Sequence, residues 1–293
     1  MGRDDPPLPV VACVDDFGAS PPINEAVREL AVRGAISATS CLVGMAHCTS
    51  GAMRELASIG SLDVGLHLNL SEGEPVSASL RRHWTQYPRL AELIARCHLG
   101  LFPAAAIRDE CQAQFDRFVA LAGRAPDFVD GHQHVHHLPG VRGAWLPMAR
   151  AAGVRYVRDT GHVAGPGFAL KRSVIERSGG RRLSHALAAH GLAGAGPLFG
   201  VYDFGARDYR SLMRAWLAQR VAAREPGLLF CHPARPGAAS AGDPIGPARE
   251  NEWRYFSSAA WTQDLAAAGV ALSRGAGLWP TLVRSARSHP ETP

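Results

Sequence analysis

Two adjacent carboxylates, Asp15 and Asp16, follow the apolar run PVVACV and open the segment DDFG. A carboxylate can bind a divalent cation or, when it carries no metal, accept a proton from water. Neighbouring side chains on an extended segment point to opposite sides, but at a strand-to-loop junction both can serve one centre in different roles. Aspartate also favours a turn or the N-cap of a following helix. The pair alone leaves both interpretations open.

Histidines strengthen the case for a metal site. His67 lies within the apolar run DVGLHLNL, where a lone histidine is more often a satisfied core residue. After the next predicted strand, DGHQHVHH places four histidines within six positions. Imidazole is a common ligand of divalent cations, so this cluster indicates metal binding rather than a solvated loop. The alternation of His132, His134 and His136 would put them on one side of an extended segment, and spacing does not choose among them.

A metal held by two histidines and one carboxylate keeps coordination positions open for water and substrate, as hydrolysis requires. Such a metal lowers the pKa of its bound water and polarises an acyl oxygen. A carboxylate outside the metal shell would take the water proton, and a histidine across the site would protonate a leaving amine. Asp15 and His232, which follows GLLFC, are the available groups of these types. His232 also has a structural interpretation, as a capped histidine before Pro233.

Short β-branched runs alternate with longer amphipathic runs along the whole chain. The pattern predicts strands at 9–14, 37–44, 63–70, from 127, and at 154–159, 227–233 and 270–274. It predicts helices at 23–34, 49–59, 107–123, 144–153, 208–223 and 262–269. Such alternation is typical of parallel sheets with helical crossovers. About seven strands favour an α/β fold of the TIM-like (β/α)-barrel type over a doubly wound sheet. Reactive side chains at the strand ends would then meet on one face of the barrel.

The composition is that of a folded protein, because 46% of the 293 residues are hydrophobic and 19% are charged. We predict one barrel domain over residues 9–283, with flexible ends at 1–8 and 284–293. The net charge of +5 comes from basic residues spread along the chain. It therefore gives no argument for nucleic acid and suits a phosphate-bearing partner or an anionic membrane surface.

Cysteine usage and the chain start predict a cytoplasmic location. None of the six cysteines forms a CxxC pair, and they sit inside apolar runs, as buried reduced thiols do. The acidic, proline-rich start has no apolar core of the signal-peptide type. The nearest candidate for a membrane-spanning helix, residues 183–202, lacks charges but contains two histidines and Pro197.

Four motifs, in this order, resemble those of the YdjC-like (ChbG/HpnK) carbohydrate deacetylase family over most of the chain. They are VDDFGAS, VGLHLNLSEG, PDFVDGHQHVHHLP and LLFCHP. The resemblance implies a (β/α) barrel of about seven strands and an activity that removes N-acetyl groups from sugars.

The resemblance also assigns roles to individual residues. It implies one divalent metal ion held by Asp16, His67 and His132, and so selects His132 from the histidine cluster. It implies that Asp15 is the general base and His232 the general acid. Ligands of these types suit Mg, Zn, Mn or Co, and the sequence does not choose among them.

Two further residues are assigned to the substrate. With His132 on the metal, His134 and His136 would contact the substrate or support the metal ligands, and we place His134 in substrate binding. Arg158, which follows VRYV, would orient a carboxylate or the acetyl group of the substrate.

Family members act on chitooligosaccharides in some cases and on amino-sugar-bearing lipids, as in the NaxD type, in others. Here the basic segment 171–182 precedes the charge-free segment 183–202. Basic residues beside an apolar segment suit peripheral contact with a lipid phosphate, although a buried helix and loop would give the same pattern. We expect a lipid-linked (undecaprenyl-phosphate) N-acetylhexosamine of envelope modification, met at the inner face of the membrane.

Three alternatives stay open at this point. The enzyme could deacetylate soluble chitooligosaccharides, or the chain could be a non-catalytic sugar- or metal-binding protein. A metal-dependent phosphoesterase on a similar barrel would need more carboxylate ligands than lie near these histidines. The sequence does not determine the oligomeric state, and a homodimer would be ordinary.

Overall fold

Within residues 6–236 and 243–278, which the computed structural model describes, nine strands form one parallel sheet. They are β1 (Leu8–Phe17), β2 (Ala38–Cys41), β3 (Asp63–Leu68), β4 (Phe128–Gly131), β5 (Tyr156–Arg158), β6 (Ala193–Ala195), β7 (Leu198–Phe199), β8 (Gly227–Cys231) and β9 (Val270–Leu272). The strand order is β6-β5-β4-β3-β2-β1-β8-β7, and β9 pairs with β1. Strands β6 and β7 end this order at opposite edges but are separated by only Gly196 and Pro197. The sheet therefore curves into a nearly closed barrel.

Helices connect the strands and surround the sheet. They are α1 (Pro21–Val32), α2 (Ser50–Ala57), α3 (Ala78–Arg81), α4 (Leu90–Leu99), α5 (Ala104–Ala122), α6 (Val141–Ala151), α7 (Ala169–Ile175), α8 (Arg181–Ala189), α9 (Tyr209–Ala223), α10 (Gly246–Phe256), α11 (Ala259–Ala268) and α12 (Gly275–Leu278). A 3₁₀ segment covers His132–His137 and a π turn covers Glu176–Gly180. The predicted (β/α) barrel is confirmed, with β6 and β7 in addition to the seven strands that the pattern predicts.

Apolar spacing and glycine stops explain where the helices lie. In α1, the buried residues Ile23, Val27 and Leu30 recur at helical spacing and face the sheet. Helix α5 ends where Gly123 adopts the left-handed conformation (φ 73°), which glycine adopts without steric cost.

Strand β1 lies at the centre of the sheet and is buried on both faces. Its residues Val11 and Cys13 point into the barrel, whereas Val10, Ala12 and Val14 pack against the helices. The strand is longer than the predicted 9–14, because its ladder continues through the two aspartates to Phe17. Continuing the alternation directs Asp15 toward the barrel interior.

The charge-free segment 183–202 contributes to the protein interior. Leu183 and Leu187 form the buried face of α8, and Leu198 and Phe199 are barrel residues without exposed surface. The structural interpretation of this segment, a buried helix and loop, therefore matches the fold. Among the helices of the described residues, none combines the length and apolar character needed to cross a bilayer.

Other sequence predictions concern the cysteines and the chain ends. All six cysteines are buried with free thiols. The predicted domain end at 283 and the predicted flexible end 284–293 lie outside the described residues, as do residues 1–5 of the predicted flexible start.

Candidate active site

A cavity of about 540 Å³ opens at the carboxyl ends of the strands. It is lined by six of the residues singled out from sequence, which come from four strand ends far apart in the chain. They are Asp15, Asp16, His67, His132, His134 and His232. A (β/α) barrel gathers such side chains on this face because all of its strands run in one direction.

An unusual backbone conformation at Asp16 brings both aspartates to the cavity. Asp16 has φ 69°, in the left-handed region that non-glycine residues rarely adopt. The chain turns there, with the Ala19 N–H donating to the Asp16 carbonyl oxygen at 3.0 Å. A Cβ on the following Gly18 (φ 99°) would lie 2.6 Å from the Cys48 Cβ, so the turn requires glycine at that position. The turn removes Asp16 from the strand alternation, and Asp15 and Asp16 both line the cavity.

Asp16, His67 and His132 offer one ligand atom each, and these atoms lie within 4.8 Å of one another. Asp16 Oδ1 is 3.0 Å from His132 Nδ1 and 3.5 Å from His67 Nε2. Two imidazoles and one carboxylate at this spacing are a donor set that fits a divalent cation. The three residues to which the resemblance assigns the metal are thus adjacent.

The electrostatics of this group favour a positive charge. Burial disfavours protonation of both imidazoles, but neighbouring carboxylates outweigh it. Asp130 and Asp15 raise the pKa of His67 to about 10, and Asp16 raises the pKa of His132 to about 9. The negative charge of the carboxylates therefore stabilises positive charge at this point, and a bound cation would supply that charge.

The ring of His67 is oriented by groups on its other side. Its Nδ1 lies 2.7 Å from Asp130 Oδ1 and 2.9 Å from Ser40 Oγ, which leaves Nε2 directed toward Asp16. A carboxylate behind a histidine ligand commonly fixes the ring and increases its basicity. Asp130, a residue of the DGH motif, supplies that carboxylate.

Asp15 belongs to a buried charged cluster. The Arg158 Nη1 donates to Asp15 Oδ2 at 2.7 Å, and its Nη2 contacts both Asp15 and Asp130. Burial opposes ionisation of Asp15, but Arg158 outweighs it and lowers the pKa of Asp15 to about 2. Arg158 is fully buried and lies outside the cavity lining, and its side chain contacts Asp15, Asp130 and the Cys13 sulfur. Its predicted role in substrate binding stays a prediction.

His232 follows β8 and lies across the cavity, with its Nε2 3.9 Å from Asp15 Oδ2. Burial lowers the pKa of this imidazole to about 4, so it is neutral near pH 7. The rings of Phe204 and Phe230 pack edge-on against it, with centroids at 5.4 and 5.5 Å. Its backbone N–H donates to the buried Glu252. This placement holds an imidazole beside the proposed base.

The histidine segment is not extended, so alternation does not put His132, His134 and His136 on one side. Gln133 (φ 51°) and His134 (φ 63°) are left-handed, and the segment folds as a 3₁₀ turn. The histidines consequently diverge: His132 meets the metal group, His134 lines the cavity, and His136 Nε2 lies 3.0 Å from the Arg158 carbonyl oxygen. The backbone conformation, rather than the alternation of residues, separates their surroundings.

Sequence reasoning missed three acidic and basic residues of the site. Arg249 of α10 contacts Asp16 Oδ2 at 2.7 Å, and Glu252 of the same helix holds the His232 backbone. The exposed Glu72 lies with its Oε2 2.8 Å from His132 Nε2. Glu72 belongs to the motif VGLHLNLSEG, so its position in that motif could have indicated that it lies at the site. The α10 residues follow no strand, so the search for polar strand ends could not find them.

Comparisons with known proteins agree with the sequence motifs. A carbohydrate deacetylase of Mus musculus is 38% identical over 161 residues, which are 52% of this chain and 51% of that protein. A chitooligosaccharide deacetylase of Serratia marcescens is 32% identical over 150 residues, covering 50% of this chain and 57% of that protein. The chain spans about half the length of these curated relatives.

The fold comparison extends over nearly the whole chain. A solved structure of an Enterococcus faecalis V583 protein, named for cellobiose-phosphate cleavage, covers 93% of this chain and 99% of its own. The TM-score is 0.68 at 18% identity, which supports the barrel fold alone. The family model described as YdjC-like protein matches residues 9–267. Because this match includes most of the chain, the protein belongs to the YdjC-like family.

Proposed function

We propose that the protein is a metal-dependent deacetylase that hydrolyses the N-acetyl group of an amino sugar. The observation that carries the proposal is the convergence of Asp16, His67 and His132 beside Asp15 and His232 in one cavity. The names of the curated relatives support a carbohydrate amide as the substrate. A non-catalytic binding protein would not need a separate carboxylate and imidazole beside the cation site.

Each residue of the site has a separate role in the proposed reaction. A divalent ion held by Asp16, His67 and His132 would polarise the acyl oxygen and make water a better nucleophile. Asp15, kept ionised by Arg158, accepts the proton from the attacking water. His232 is neutral, and its Nε2 lies 3.9 Å from Asp15 Oδ2, so it can receive that proton and pass it to the leaving amine. Water thus supplies the hydroxyl group of acetic acid, which then ionises to acetate, and one hydrogen of the free amine.

For the cation, the two imidazoles favour Zn²⁺ or Co²⁺ over Mn²⁺ and Mg²⁺, which suit oxygen ligands better. Metal analysis of the purified protein, followed by removal and single-ion reloading, identifies the ion that supports acetate release.

As the substrate, we propose a lipid-linked N-acetylhexosamine, met at the membrane surface. The support comes from α7, one wall of the cavity. Leu170 and Val174 are 80% and 51% exposed, although both are large and apolar. Between them Lys171 lines the cavity, with its Nζ 4.6 Å from the Phe204 ring centroid. A cation flanked by exposed apolar groups suits a sugar phosphate whose lipid stays in the bilayer.

Soluble chitooligosaccharides are the second candidate, favoured by the name of the Serratia marcescens relative. Acetate release from diacetylchitobiose and from an undecaprenyl-phosphate N-acetylhexosamine in detergent separates the two. We expect faster turnover of the lipid-linked sugar. Efficient cleavage of diacetylchitobiose alone would reject the lipid proposal, and acetate from neither sugar would favour a binding protein.

A surface variant tests the lipid proposal more directly. Leu170→Ser should lower turnover of the lipid-linked sugar and leave that of diacetylchitobiose unchanged, because Leu170 lies on α7 outside the cavity lining. Val32→Ser is the matched control, because Val32 is 77% exposed and lies on α1 outside the cavity lining. Equal effects of both changes would contradict a docking role for α7.

A further inference from the structure

We infer that Arg249 is a positioning residue that limits Asp16 to one metal-facing oxygen and ties Asp16 to the chain segment carrying His232. The inference rests on the proposed function only in taking Asp16 as a ligand of the metal. Arg249 lies on α10, a helix outside the barrel sheet that contributes no residue to the metal group.

The two carboxylate oxygens of Asp16 have different partners. Oδ1 lies 3.0 Å from His132 Nδ1 and 3.5 Å from His67 Nε2, so it belongs to the candidate metal group. Oδ2 accepts a hydrogen bond from Arg249 Nη2 at 2.7 Å. With that oxygen occupied, the carboxylate presents a single oxygen to the cation.

The guanidinium of Arg249 is itself held at two other points. Its Nε donates to Asp243 Oδ2 at 2.7 Å, and its Nη1 donates to the His232 carbonyl oxygen at 3.3 Å. Arg249 is 7% exposed, so these contacts form with little competition from water. A planar guanidinium with three acceptors around it has a fixed orientation, and a lysine ammonium cannot reproduce that fork.

Glu252, one helical turn after Arg249, completes the connection. Its Oε2 accepts the His232 backbone N–H, and its Oε1 accepts the Tyr202 hydroxyl hydrogen. Residues three apart share a helix face, so α10 holds both backbone polar groups of His232 while it holds Asp16. The ligand carboxylate and the proposed acid are thereby anchored to one rigid element.

Metal affinity tests this role without reference to turnover. Metal-stripped wild-type protein and Arg249→Ala are titrated with Zn²⁺ by calorimetry and with Co²⁺ by visible absorption. We expect Arg249→Ala to bind each ion about 10–100-fold more weakly, as is usual when a partner of a metal ligand is removed. Arg249→Lys keeps the charge and guards against misfolding of the alanine variant, and it should recover less than half of the lost binding energy.

Arg254→Ala is the matched control. Arg254 is on the same helix, but it is exposed and contacts Glu250 at 2.8 Å and Asn251 at 2.9 Å, neither of which belongs to the metal group. Metal affinity within about twofold of wild type is expected for this variant, since exposed ion pairs contribute little. Wild-type affinity in folded Arg249→Ala and Arg249→Lys would overturn the inference, as would a rise in KM alone. Wild-type protein that binds metal but releases no acetate would instead reject the proposed function and leave the role of Arg249 intact.

Discussion

Asp15 and Asp16 are neighbours in sequence and each contacts an arginine, yet their surroundings differ. Both line the cavity and both are buried. Asp15 is paired with the fully buried Arg158, which spans it and Asp130. Asp16 has one oxygen held by Arg249, and two imidazoles face the other. Arg158 neutralises the charge of Asp15, whereas Asp16 has one oxygen that faces a position where a cation fits.

A second group of metal-ligand atoms makes the contrast clearer. Cys13, Asp15 and Asp130 also bring one atom each within 4.8 Å of one another. Arg158 already lies among them, donating to both carboxylates and to the Cys13 sulfur. Proximity of ligand atoms is therefore insufficient to define a cation site. Whether a carboxylate in such a group can bind a metal or can act as a base depends on the side chain that already lies between the ligand atoms.

The largest effect is expected from removing an imidazole on the Asp16 side. His132→Ala deletes one of three metal donors, so metal binding and acetate release should both fall to background while the fold is retained. Elemental analysis, acetate assays and circular dichroism measure the three properties. His134→Ala is the control from the same turn, because it lines the cavity outside the metal group and should keep the metal. A metal-replete His132→Ala would remove the distinction between the two aspartates.

The complementary change is Asp15→Asn, which should separate turnover from metal binding. The amide cannot accept the water proton, so kcat should fall about 10²–10⁴-fold, the usual contribution of a general base. Metal content should equal that of wild type, because Asp15 lies outside the candidate metal group. Undiminished turnover in this variant would eliminate Asp15 as the base.

The two aspartates also show how far sequence reasoning reaches. Strand β1 and six of the later strands were predictable, because buried parallel strands leave continuous apolar runs that end at polar side chains. The resemblance then selected Asp16, His67 and His132, which the structure places within one group. The positive φ of Asp16 was not predictable, since aspartate adopts that conformation more often than most residues but still rarely.

Other parts of the site depend on tertiary contacts that leave no periodic signal. Arg249 reaches Asp16 across 233 positions of sequence, so neither helical spacing nor a strand end marks it. For the same reason, residue spacing did not indicate the left-handed turn at Gln133 and His134. Strands β6 and β7 have three and two residues, too few for a two-residue period to be recognised.

Stability should distinguish the two arginines. Arg158→Ala leaves Asp15 and Asp130 buried without their guanidinium, and breaking such a buried pair costs about 3–5 kcal/mol. Arg249→Ala should cost less, because Asp16 keeps two imidazoles beside its other oxygen. Urea unfolding of metal-stripped variants measures both free energies. Equal losses would mean that the two aspartates depend equally on their arginines.

A smaller effect on stability is expected from Glu252. It is a buried carboxylate, and within the described part of the chain no guanidinium bonds to it directly. Burial raises its pKa from 4.5 to about 7, against the opposing influence of the Tyr202 hydroxyl, the His232 N–H and the Arg249 charge. The folded state thus favours the protonated form, so its contribution to stability is complete below the unfolded pKa of 4.5 and is lost as the pH rises through about 7. The loss amounts to about 3 kcal/mol at most. Glu252→Gln cannot ionise, so its free energy of unfolding, measured in urea at about pH 5 and about pH 8, should fall less than that of wild type. Equal losses in both proteins would show that Glu252 is ionised at both pH values, as Asp15 is beside Arg158. Arg249, which does not contact Glu252 directly, would then be sufficient to keep a buried carboxylate charged.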